Sequence, residues 1–124
     1  MEVPKIHESE YRLCLIMWEK EPINAADLVK LCELQLGWKR TTAYTVIKRL
    51  SERGVLRHEN GVVTALISKE QAEKSEIDEF VDKKFGGSLP AFVAAFTKHH
   101  EFSEKDLDEM QRMIDRIRKE GGTK

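Results

Sequence analysis

The residues best equipped for chemistry stand together between Trp38 and Gly54: Lys39, Arg40, Thr41, Thr42, Tyr44, Thr45, Lys48 and Arg49. Threonine hydroxyls can bond phosphate oxygens and their methyls can meet thymine methyls, while Lys and Arg reach guanine edges or phosphates. The set therefore suits the major groove of duplex DNA. Between positions 38 and 58 six cations (Lys39, Arg40, Lys48, Arg49, Arg53 and Arg57) stand against Glu52 alone, in a chain of 124 residues with a formal net charge of −1. The remainder must be acidic. The competing reading of this stretch is a solvated charged face on an ordinary helix.

A helix is needed to present these groups, and the apolar spacing supplies one. Ala43, Val46, Ile47 and Leu50 recur at i, i+3, i+4 and i+7 and so form a core-facing stripe. Rotation by 100° per residue puts Thr41, Thr45, Lys48 and Glu52 opposite, with Thr42, Tyr44 and Arg49 on the flanks. Upstream, Ile23 to Leu28 opens a helix with Asn24 as its cap and Leu28, Val29, Leu31 and Cys32 as its apolar face. Gly37 closes it. An earlier helix runs from about His7 to Lys20 with Tyr11, Cys14, Met17 and Trp18 inward, preceded by a loose arm over residues 1–5 and ended by Glu21-Pro22. Three short helices, the second and third closely joined, have the order of a helix-turn-helix.

After Gly54 the period becomes alternating, with Leu56 and His58 on one side and Val55, Arg57 and Glu59 on the other. Asn60-Gly61 between this run and Val62 to Ile67 predicts a tight hairpin, because both turn residues must take positive φ. A two-stranded wing results, and Arg57 and His58 near its tip are expected to touch phosphates. The alternative is a hairpin that meets no DNA.

Ser68 to Gln71 is a capping box for a helix carrying Ile77, Phe80, Val81 and Phe85, and here acids outnumber lysines. Gly86-Gly87 breaks it. Ser88-Leu89-Pro90 starts another with Leu89, Phe92, Val93 and Phe96, and Ser103 to Asp106 caps a last one with Leu107, Met110, Ile114 and Ile117 at spacings of a helix-packing seam. A segment of this size is marginal by itself. A homodimer is thus expected, with Phe80, Phe85, Phe92, Phe96, Leu107, Met110 and Ile114 at its interface; a monomer folded back on the winged part is the alternative. The expected fold is mostly α with a small β-hairpin: a winged helix-turn-helix over residues 1–68 and a three-helix dimerisation domain over 69–124. The tail Gly121 to Lys124 is expected to fray.

Several classes are disfavoured. The longest apolar run, Leu13 to Trp18, is far short of the roughly 20 residues that span a bilayer, and no N-terminal signal pattern is visible. A cytoplasmic protein with no membrane insertion is expected. Cys14 and Cys32 sit on apolar stripes as reduced thiols. There is no assembled nucleophile, metal-ligand spacing or glycine-rich phosphate loop, so no enzyme, cofactor or metal is expected. His99-His100-Glu101 is the best metal candidate, yet adjacent residues point to different helix faces.

The ordered set Ile6-x-x-x-Glu10-Tyr11-x-x-Cys14-x-x-Met17-Trp18, Ala25-x-Asp27-Leu28 and Thr41-Thr42-x-Tyr44-Thr45-x-Ile47-x-Arg49-Leu50-x-x-Arg53-Gly54 resembles the BlaI/MecI family of penicillinase repressors. Phe85-Gly86-Gly87-Ser88-Leu89 with Phe92-Val93 is similar to that family's C-terminal signature. The resemblance implies a homodimeric winged-helix repressor on dyad-symmetric operator DNA, released by proteolysis; because a dimer binds both half-sites at once, disruption of its interface is a second expected route to release. A sensor-linked protease is the partner the resemblance implies, and the bond matching the family's Asn-Phe cleavage site is Ala95-Phe96. The wing reads Val62-Val63-Thr64-Ala65-Leu66-Ile67 where the family commonly has Tyr and often Pro. Copper-responsive relatives end in clustered cysteines, and no cysteine follows Cys32 here, so metal sensing is not expected. The rival function is a winged-helix protein-interaction adaptor that does not bind DNA.

Overall fold

The computed structural model describes residues 2–121, and Gly122 to Lys124 of the tail expected to fray lie outside them. Helix α1 (Glu8–Lys20) is followed by strand β1 (Ile23–Asn24), α2 (Ala25–Leu36), α3 (Arg40–Glu52), β2 (Leu56–Glu59) and β3 (Val62–Ala65). Then come α4 (Lys69–Phe85), α5 (Leu89–Lys98) and α6 (Glu104–Lys119). The expected class, mostly helical with a small antiparallel sheet, is what the chain adopts. Its residues group into two compact units, one up to Phe80 and one from Val81 onward.

The core of the first unit is built from one stripe of each of the first three helices. Leu13, Cys14, Ile16 and Met17 of α1 meet Ala25, Leu28, Val29 and Cys32 of α2 and Ala43, Val46, Ile47 and Leu50 of α3, joined by Val55, Leu56 and Val63. In α1 the buried stripe lies to one side of the expected one, since Tyr11 and Trp18 are only half-buried. Their rings meet edge to face at 5.5 Å, and the Trp18 indole N–H donates to the Ile67 carbonyl at 2.9 Å. Rings with a polar tip settle where that tip finds a partner, at the margin of the core. The arm is not loose at its end, because the Lys5 carbonyl accepts a hydrogen bond from Arg53 at 2.6 Å.

The hairpin turn is as the Asn-Gly pair requires, with φ of 52° at Asn60 and 76° at Gly61. The sheet, however, has three strands in the order β1-β3-β2, because Ile23 and Asn24 pair antiparallel with Val63 and Val62. This also alters the start of α2. Asn24 makes no side-chain cap; instead the Ala25 N–H donates to the Gly61 carbonyl at 2.8 Å, tying the wing turn to the helix. Val55 lies before the strand, wholly buried, and its carbonyl accepts from the N–H groups of Leu66 and Ile67. The capping box before α4 is present: the Gln71 N–H donates to Ser68 Oγ at 3.1 Å and the Ser68 N–H to Gln71 Oε1 at 2.8 Å.

In the second unit Ser88 and Ser103 cap their helices, accepting from the N–H groups of Ala91 and Asp106 at 3.1 and 3.0 Å. Neither α5 nor α6 buries a single residue within the chain. Among the described residues no helix is long and apolar enough to cross a membrane.

Candidate nucleic-acid interface

Helix α3 is presented by the turn that precedes it. Gly37 takes a left-handed conformation (φ 70°), which ends α2, and Trp38 packs half-buried against the core, so the chain re-enters a helix at Arg40. Lys39 at the cap position is extended and makes no side-chain cap, and the first turn holds no acid. The helix therefore begins with unmasked backbone N–H groups, the positive end of its dipole, and two exposed cations, Lys39 and Arg40. That combination favours a phosphate.

Along α3 burial follows the expected division. Ala43, Val46, Ile47 and Leu50 are buried, whereas Thr41, Thr42, Tyr44, Thr45, Lys48 and Arg49 are exposed. The structure gathers most of the candidate residues into two shallow concavities. One is lined by Thr41, Thr42, Thr45, Val46 and Arg49. The other runs toward the wing and brings Tyr44, Lys48 and Ser51 together with His58. Arg57 joins neither: its Nε lies 3.8 Å from Glu59 Oε1 on its own strand, and both side chains are exposed. Within the first concavity the Thr45 hydroxyl donates to the Thr41 carbonyl at 2.9 Å.

Arg53, one of the six cations of the basic stretch, is engaged within the fold. Its guanidinium ion-pairs with the Glu10 carboxylate of α1 and also donates to the Lys5 carbonyl, so it locks the end of α3 to the arm and to α1. Sequence periodicity does not find Glu10, which is a buried acid; the only local hint is its position three residues after His7, whose N–H it accepts at 2.8 Å. Burial pushes the Glu10 carboxyl up, but the Arg53 hydrogen bond and charge and the His7 N–H outweigh that and hold it below the ordinary carboxylate range. The pair fixes the end of α3 against α1.

The two thiols are core groups. Cys14 and Cys32 are free and buried, and burial pushes them up to about 12 and about 11. In the second unit the residues expected at a dimer interface are partly exposed: Phe85 and Phe92 are half-buried, while Phe96 is 52% exposed, Leu107 44% and Ile114 47%. An aromatic string runs through them, Phe85 to Phe92 at 5.6 Å, Phe92 to Phe96 at 6.1 Å, and His100 stacked on Phe96 at 5.0 Å. His100 thus packs with rings, and among the described residues no group of three His, Cys, Asp or Glu side chains is arranged for a metal. Ala95 and Phe96 sit inside α5.

A family model, the penicillinase repressors, matches residues 6–116. The chain is 21% identical over 117 residues to the penicillinase repressor of Bacillus licheniformis, covering 91% of each. It is 20% identical over 116 residues to the methicillin resistance regulatory protein MecI of Staphylococcus aureus strain N315, spanning 90% of this chain and 94% of that one. The penicillinase repressor of Staphylococcus aureus is 21% identical over 119 residues, 93% of this chain and 94% of its own. With a match from the start of the first helix into the last, the chain belongs to the penicillinase repressor family.

Proposed function

We propose that the protein is a homodimeric transcriptional repressor, not an enzyme, that binds dyad-symmetric operator DNA by laying α3 in the major groove. The observation that carries this is the division of α3: four apolar residues locked in the core, and three threonines, a tyrosine and the cations Lys48 and Arg49 on the open face. Lys39 and Arg40 hold phosphates at the start of the helix. His58, and Arg57 beyond it, meet the backbone from the wing. The relatives' names, which are those of repressors, support the same reading.

The helical region, residues 69–124, holds two copies together. Its support is physical: neither α5 nor α6 buries a residue, and Phe96, Leu107 and Ile114 stay about half exposed; Phe80, Phe85, Phe92, Phe96, Leu107, Met110 and Ile114 supply the surface. Repression ends when this association is lost, by a sensor-linked protease cutting Ala95-Phe96 or by separation of the helices.

The test is equilibrium binding of the full chain to duplex DNA flanking its own gene, as a function of salt. Neutralising several phosphates per head gives a log-log slope of about −0.9 for each phosphate contacted. Binding that is absent, or indifferent to salt, leaves the winged part as a protein-interaction adaptor.

A further inference from the structure

We propose that Thr45 reads one thymine of each half-site through its methyl group, an assignment that rests on the DNA-binding reading above. A threonine hydroxyl has one proton, and that of Thr45 is donated within the helix to the Thr41 carbonyl at 2.9 Å. It has none left for the acceptors that guanine, adenine and thymine show in the major groove. What Thr45 turns outward is its γ-methyl and an oxygen that can only accept.

The surroundings decide between those two. Thr45 shares its concavity with Thr41, Thr42 and Val46, so four of the five lining residues carry methyl groups, and Arg49 supplies a cation. Thymine is the one DNA base with a methyl in the major groove. A hollow lined by methyl-bearing side chains together with their hydroxyls, beside a cation, matches that group and the backbone charge next to it. The amino groups of cytosine or adenine could be met only by hydroxyl oxygens and would gain nothing from the methyls.

The experiment starts with the full chain and a randomised duplex library, from which bound sequences are enriched. Each thymine of the enriched duplex is then replaced by deoxyuridine, which removes only the 5-methyl group. At one thymine per half-site the wild-type protein should bind about fourfold more weakly, the loss of one buried methyl. That sensitivity should fall in Thr45→Ser, which keeps the hydroxyl, and persist in Thr45→Val, which keeps a methyl. Indifference at every thymine overturns the assignment, as does a uracil effect that is undiminished in Thr45→Ser. A Thr45→Val protein that melts normally but no longer binds points to the oxygen instead and also overturns it. If no duplex is enriched, the DNA-binding reading itself fails and takes this assignment with it; enrichment without methyl sensitivity removes this assignment alone.

Discussion

Arg53, which closes α3, is ion-paired to Glu10 of α1, 43 positions earlier in the chain. The Glu10 side chain is 5% exposed and that of Arg53 30%, so the acid is the partner that depends on the pair. Losing the arginine strands a carboxylate; losing the acid leaves an arginine that can turn to water.

Arg53→Ala should therefore cost roughly 2–4 kcal/mol of stability at neutral pH, and Glu10→Gln less. The dependence on pH has a definite sign. The folded-state carboxyl titrates below its unfolded value, so the pair's contribution is complete above the unfolded carboxylate range and is lost as pH falls through the folded one. Urea midpoints of wild type and Arg53→Ala should accordingly converge on acidification. A gap that stays constant down to about pH 3, below the ordinary carboxylate values, would show that the pair is not its origin.

Lys48→Ala with Arg49→Ala should weaken binding to duplex DNA and reduce the salt slope by about one for each phosphate contact removed. Both side chains are exposed, so stability should change by no more than about 0.5 kcal/mol. Arg53→Lys should leave the slope alone, since Arg53 faces Glu10 and Lys5. Equal slopes for wild type and the double variant would take α3 off the DNA.

A fragment ending at Phe80 retains the first compact unit and lacks α5 and α6. In sedimentation it should run as a monomer while the full chain runs as a dimer. A dimeric fragment would move the association into the winged part.

Cutting the chain at an engineered protease site placed over Ala95-Phe96 should convert dimer to monomer and lower operator affinity by about 10²- to 10⁴-fold, the loss of bivalent attachment. Mass and affinity must fall together. A cut protein that is still dimeric and binds as before would separate release from the interface.

Cys14 and Cys32, buried and pushed up to about 12 and about 11, should resist a thiol reagent at neutral pH and react only as the protein unfolds. The labelling rate should then follow the unfolding equilibrium in urea. Rapid labelling of the folded chain would contradict their place in the core.

What the sequence determined by itself is everything governed by neighbours. The stripe Ala43, Val46, Ile47, Leu50 and the opposite polar face follow from a period of 3.6, and the wing turn follows from the φ that Asn60 and Gly61 tolerate. The Ser68, Ser88 and Ser103 caps need only three residues of context. Tertiary structure decided what depends on chain brought from afar. A two-residue strand, Ile23–Asn24, has no pattern of its own and exists because β3 offers it a free edge. That pairing hands the Gly61 carbonyl to Ala25, where a side-chain cap had been expected. Arg53 belongs to the basic run by sequence, yet a buried acid from another helix pairs with it and draws it into the fold. The first compact unit likewise continues to Phe80, well past the end of the wing, and Ala72 in the first turn of α4 is buried. Periodicity records which face of an element is apolar; it carries no information on which distant partner covers that face or neutralises a charge beside it.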